Sequence, residues 1–129
     1  MNNSNLQIQQ PLIAIDRKQN RIRIHRGSLH LLGDPEYIQF LVHPIQRNII
    51  LIPSIKSDHL AHRIRWDRLN KQKDCVFYSK DLTKEISKLA TSWDYDSTYS
   101  LIGHYISGNN AILFPIKESY KVDTELSND

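Results

Sequence analysis

Cysteine, glycine and long apolar runs are all scarce in this chain of 129 residues. Each scarcity removes a class of function. A single cysteine, Cys75, cannot close an intramolecular disulfide, and it suits a reducing compartment. Four glycines leave little material for nucleotide-cradling loops, and no P-loop, G-x-G-x-x-G or G-x-S-x-G pattern occurs. No apolar run approaches the roughly 20 residues needed to cross a bilayer. The leading MNNSNLQIQQ has neither the plan of a secretory signal nor the arginines of a transit peptide. His59 and His62, with Asp58 beside them, lack the further ligands that a zinc site requires. Ser28 has His25 and His30 as sequence neighbours, which does not make a triad. The expectation is a cytoplasmic protein that is not an enzyme, with no membrane, no cofactor and no metal.

What is present is an uneven charge and an apparent doubling. Net charge is +3, yet residues 1–73 hold 12 Lys/Arg against 5 Asp/Glu, and residues 74–129 hold 5 against 9. Two readings follow: a polyanion-binding face on the basic half, or two halves that attract each other. The doubling emerges when Tyr37–Pro53 is laid on Tyr99–Pro115 at an offset of 62, which aligns Tyr37 with Tyr99, Asn48 with Asn110 and Pro53 with Pro115. Upstream, Ile24–Leu29 falls on Phe77–Leu82 at an offset of 53, so nine residues are added between the anchors of the second copy.

Local patterns supply the elements. Leu12–Asp16 reads as a strand and Arg17–Asn20 as its turn. Arg21–Arg26 alternates strictly, with Ile22 and Ile24 on one face and Arg21, Arg23 and His25 on the other. Ser28 is the expected N-cap of a short helix closed by Gly33. Tyr37–Val42 and Ile49–Pro53 make a hairpin, and Ala61–Trp66 a third strand. The second copy runs through Cys75–Tyr78, then a helix capped by Ser79. A hairpin of Tyr99–Ile106 and Ala111–Ile116 follows, with Tyr120–Val122 closing. Leu82, Ile86, Leu89 and Trp93 form the apolar stripe of the longer helix, beside a Lys80, Lys84, Lys88 stripe that suits a solvated face. The expected class is α+β: two pseudo-twofold β-α-β-β(-β) repeats sharing one core, with predominantly antiparallel sheet. Residues 1–11 are expected to form a disordered lead, 12–122 one domain (repeat one 12–66, repeat two 75–122), and 123–129 a frayed tail.

The stretch Ile15–Gly33, IDRKQNRIRIHRGSLHLLG, resembles the start of AbrB/MraZ-like DNA-binding modules through Asp16, Arg21, Ile22, Ile24, Leu32 and Gly33. It departs from that pattern at Asn20, where a turn glycine is usual, at His25, where proline is usual, and at Leu29, where a helix arginine is usual. In topology alone, a βαβββ repeat is also similar to the unit of processivity-clamp domains. Both resemblances imply double-stranded DNA as the partner. The residues that would contact it are Arg17, Lys18, Arg21, Arg23 and Arg26, with Arg63 and Arg65 as a second group sharing a strand face. The implied function is a small transcriptional regulator, with a homodimer compatible. The alternative is a protein-interaction or inhibitory accessory module of a mobile element, with no nucleic-acid role. Its surface would be an exposed strand edge or the acidic segment Asp94–Ser97.

Overall fold

A computed structural model of the chain describes residues 10–69 and 74–122. The expected lead up to residue 9, the tail after residue 122 and the linker lysines Lys71 and Lys73 lie outside the described residues. The first sheet, sheet A, has strand order β10-β7-β1-β2-β6, and sheet B has order β5-β3-β4-β9-β8. Their strands are β1 (Leu12–Asp16), β2 (Arg21–His25), β3 (Tyr37–His43), β4 (Asn48–Ser54), β5 (His62–Arg63), β6 (Asp74–Tyr78), β7 (Thr98–Ile102), β8 (His104–Ile106), β9 (Ala111–Pro115) and β10 (Tyr120–Lys121). Helices α1 (Arg26–Leu31), α2 (Trp66–Leu69) and α3 (Lys80–Leu89) complete the described elements, with a 3-10 turn at Ile116–Glu118. Every strand pairing among the described residues is antiparallel. The class is α+β with predominantly antiparallel sheet, as the periodicities imply.

The core lies between the sheets. Ile13, Ile15, Ile22 and Ile24 point into it from sheet A, and Ile38, Leu51, Ile112 and Phe114 from sheet B. Leu29 of α1 and Ile86 of α3 join them. Alternation along β2 therefore does what its sequence suggests: two isoleucines turn inward while Arg21, Arg23 and His25 turn outward.

The two repeats meet along antiparallel ladders, β2 with β6 in sheet A and β4 with β9 in sheet B. Their equivalence in sheet A agrees with the offset of 53, because Ile22 and Ile24 then match the inward Cys75 and Phe77. In sheet B the offset of 62 is corrected. It would lay the inward Ile49 and Leu51 on Ala111 and Leu113, which belong to the opposite face of β9. The structure matches Ile49 with Ile112 and Leu51 with Phe114, a separation of 63, and this also aligns the left-handed residues Arg47 and Asn110 (φ 58° and 48°). A slip of one residue reverses every face of a strand, so identical letters at 62 carried less information than the inward pattern.

Four other expectations are revised. Ser28 does not cap α1: the His25 ring accepts from the Gly27 N–H at 3.0 Å, and Ser28 is buried with its hydroxyl accepting from the Leu12 N–H at 2.9 Å. The segment Ala61–Trp66 contributes only the two residues of β5, after which the chain turns into α2. Arg63 and Arg65 therefore do not share a strand face. Of the expected lead, Gln10 and Pro11 are held in place, since the Pro11 carbonyl accepts from the Gly103 N–H at 2.9 Å. Finally, Tyr99–Ile106 is not one strand. It breaks at Gly103, leaving β7 beside β1 in sheet A and β8 beside β9 in sheet B.

Ser79 does cap α3, accepting from the Leu82 N–H at 3.1 Å, with Asp81 in the first turn where the helix dipole favours an anion. Asn20 anchors this helix from the other repeat. Its left-handed backbone (φ 54°) turns the β1–β2 hairpin, its carbonyl accepts from the Ser79 N–H, and its side chain accepts from the Thr83 hydroxyl at 2.7 Å. Asparagine tolerates this conformation better than most residues, which explains its place where a turn glycine is expected.

The crossing at Gly103 works only without a side chain. A β-carbon there would sit 2.6 Å from the Phe114 ring and 2.7 Å from Ile112. We expect Gly103→Ala to destabilise the fold by about 1–3 kcal/mol, the usual cost of overpacking a filled core. Urea denaturation measures it, and an unchanged midpoint would show that the strand can cross elsewhere.

Candidate interaction surfaces

The basic residues expected to meet DNA do not gather into one outward array. Arg17 donates to the Trp93 carbonyl at 2.8 Å, and its guanidinium lies 5.8 Å from the ring centroids of both Trp93 and Tyr95. Lys18 pairs with Asp96 at 3.6 Å. The basic turn of repeat one is thus fastened to the acidic Asp94–Asp96 segment of repeat two. Arg21 pairs with Asp16 at 3.4 Å on its own sheet face. The Nε atoms of Arg17 and Arg21 are buried with no hydrogen-bond partner among the described residues, while the Arg21 side chain as a whole remains 31% exposed. Arg26 donates to the Leu69 carbonyl. Arg63 pairs with Glu36 at 3.7 Å and Arg65 with Asp67 at 3.3 Å, which holds the Asp67 carboxyl below its usual range through that hydrogen bond. Arg23 has no ion pair among the described residues. Exposed pairs of this kind are each worth about 0–1 kcal/mol. Their larger consequence is local neutralisation of the field that would attract a polyanion.

Register fixes what shares the outer face of sheet A. One row runs Tyr120, Ser100, Ala14, Arg23, Val76, and the next places Thr98, Asp16, Arg21 and Tyr78 side by side. Tyr78 and Val76 are well exposed on β6. Charges on this face come in both signs, with Asp16 and Asp74 beside Arg21 and Arg23. Cys75 turns the other way, opposite Ile24, and burial pushes its thiol pKa up. A thiol held neutral in this manner is a poor nucleophile.

The outer face of sheet B is of a different kind. Its first row is Leu41, Ile50, Leu113 and His104; its second is Gln39, Ile52, Ala111 and Ile106. Leu41 and Ile106 are each 40% exposed, and Ile50, Ile52 and Leu113 between them are half-buried. His43 and Asn48 close the face on one side. None of these residues is Asp, Glu, Lys or Arg, while the next row, Ser54, Tyr37 and Arg63, brings the Arg63–Glu36 pair to the β5 edge of the same face. Strands β4 and β9 are therefore apolar on both faces, which antiparallel sheets normally show only where both faces are covered. Sequence reading missed this surface for a definite reason. An uninterrupted IILI run, Ile49–Ile52, reads simply as core, and the apolar outer neighbour Leu113 lies on the other repeat.

No protein-family model matches this chain, and neither does any curated protein or solved structure.

Two predictions follow from these contacts. Removing the clasp by Arg17→Ala should cost about 2 kcal/mol, combining a charge-assisted hydrogen bond with cation–π attraction. Denaturant titration reads this, and a variant as stable as wild type would show that Arg17 is free to serve elsewhere. The second concerns His62, which stacks on Phe77 at 4.7 Å and has its pKa lowered from 6.5 by burial. A depressed folded-state pKa means the unfolded chain takes up the proton first, so this contribution is complete above pH about 6.5 and is lost as pH falls towards the folded value. Stability measured from pH 7.5 to 5 should fall more steeply for wild type than for His62→Phe. Parallel profiles would contradict the assignment.

Proposed function

We propose that the chain is a non-enzymatic protein-interaction module whose working surface is the outer face of sheet B. One observation carries this reading: β4 and β9 present apolar side chains on both faces, with Leu41, Ile50, Ile52, Leu113 and Ile106 contiguous on the outer one. Large contiguous apolar patches on soluble domains mark contact sites, because leaving them in water costs about 25 cal/mol per Å². The backbone beneath is fully laddered, so the surface is preformed and binding need not order it. The engagement of Arg17 and Lys18 by the acidic segment fits the same reading, in which the charge asymmetry joins the repeats.

A second reading, DNA binding by a regulator of the AbrB/MraZ-like kind, is favoured by one specific observation. Arg23 is without an ion pair among the described residues, beside Arg21 and between the exposed Val76 and the small Ala14. On this reading the contact set shrinks from the seven expected residues to Arg21 and Arg23, with Tyr78 beside them. Two arginines release few counterions, so binding would be weak and lost at moderate salt.

One comparison separates the two. Tagged wild-type protein, Leu113→Asp, and the double variant Arg21→Ala/Arg23→Ala are tested in parallel for protein capture and for duplex DNA retention at low salt. The interaction reading expects Leu113→Asp to abolish capture, with the double variant behaving as wild type. Tight DNA retention that disappears in the double variant, with capture insensitive to Leu113, overturns it.

A further inference from the structure

We propose that residues 6–9 of the chain's own lead continue β1 and close the free edge of sheet B at β8. This is backbone pairing at an edge, separate from the outer-face contact proposed above. Among the described residues β8 has β9 on one side and no strand on the other, and all three of its residues are exposed. Such an edge is a row of backbone groups available to one more strand. Its position singles out the occupant. The β7–β8 stretch is flanked on one side by β10 and β9, which are neighbours in the chain, and on the other by β1, alongside β7 only. The open edge of β8 is therefore the continuation of the lane that β1 occupies.

Register carries that lane onward. Leu12 lies opposite Ile102, and the Gly103 N–H donating to the Pro11 carbonyl at 2.9 Å adds the next rung. Proline has no N–H to return, and the Gly103 carbonyl accepts instead from the Gln10 side-chain amide at 3.2 Å. The pairing thus reaches the crossing at which β7 gives way to β8. Further steps in the same register set Gln10 opposite His104, Gln9 opposite Tyr105 and Ile8 opposite Ile106. Backbone alternation agrees at both ends of the edge. Gly103 turns its N–H to the β1 side, whereas the Ile106 carbonyl turns into the hairpin and accepts from the Asn109 N–H at 3.2 Å. Tyr105 shares the parity of Gly103, so its N–H and carbonyl face the open edge opposite Gln9. The lead also has the pattern of a half-buried strand, with Leu6 and Ile8 alternating with Gln7 and Gln9. Ile8 then joins the row of Ile106, Ala111 and Ile52.

Amide hydrogen exchange of the full chain, resolved by NMR, tests this. The Tyr105 N–H should exchange slowly, and removing residues 2–9 should speed it about tenfold or more. Gln9→Pro, which deletes the N–H facing the Tyr105 carbonyl, should do the same. Asn3→Pro lies beyond the three rungs and should not. In every variant the His104 and Ile106 N–H groups, turned towards β9, should keep their protection. Ile8 and Ile106 form a non-hydrogen-bonded pair, with Cα atoms about 4.5 Å apart, so an Hα–Hα contact between them is also expected. A Tyr105 N–H that exchanges equally fast, or equally slowly, with and without the lead overturns the proposal. So does protection that grows with protein concentration, which would mean a strand supplied by a second copy. Capture through Leu113 is read separately, and its failure leaves the edge contact standing.

Discussion

The antiparallel ladder between β4 and β9 is the constraint on which the rest depends. It joins strands from the two repeats, and Ile49, Leu51, Ile112 and Phe114 point from it into the core. The β2–β6 ladder does the same in sheet A. Neither repeat could bury its apolar side chains alone, so the fold is stabilised chiefly by area each half removes from water for the other. The same ladder also creates the outer surface of sheet B, because Leu41 and Ile50 come from repeat one while Leu113 and Ile106 come from repeat two. Core and candidate site are thus two faces of one pairing.

Symmetry between the repeats is deliberately incomplete at Gly103. In repeat one, β3 stays in sheet B along its whole length. In repeat two the corresponding chain leaves sheet A after Ile102 and enters sheet B at His104. The first part pairs with β1, and the carbonyl of Pro11, just before that strand, accepts from the Gly103 N–H. The crossing ties the start of the domain to its second hairpin. It leaves β8 short at the edge of sheet B, a common way to limit open-ended pairing.

Much of this was legible in the residues. Alternation in RIRIH placed Ile22 and Ile24 inward, Ser79 announced α3, and the doubled order of elements gave the class. Other features were hidden for physical reasons. The offset of 62 followed identical letters, whereas the face a strand buries is decided by parity, so the true separation of 63 needed the register. His25 as a cap was obscured because imidazole is an uncommon capping group, and Ser28 had the more familiar chemistry. The break at Gly103 depended on the bulk of Phe114, far along the chain. The candidate surface was least legible of all. An apolar side chain facing solvent reads the same as one facing the core, and only cross-strand neighbours distinguish them. Conversely, Arg17 reads as a free cation yet lies against Trp93 and Tyr95, because the basic and acidic halves fasten to each other at this turn.

The most direct test of the central claim, that the composite outer face of sheet B makes the contacts, is a methyl-resolved NMR titration of the full chain. Adding protein that wild type captures and Leu113→Asp does not should move the methyl signals of Leu41, Ile50, Ile52, Ile106 and Leu113 together. Inward methyls such as Ile22 and Ile24, and Val76 on sheet A, should stay still. Adding duplex DNA at low salt should leave the sheet B set unmoved. Shifts confined to Val76 and its neighbours on addition of DNA, with a sheet B face that stays silent towards the captured protein, would contradict the account.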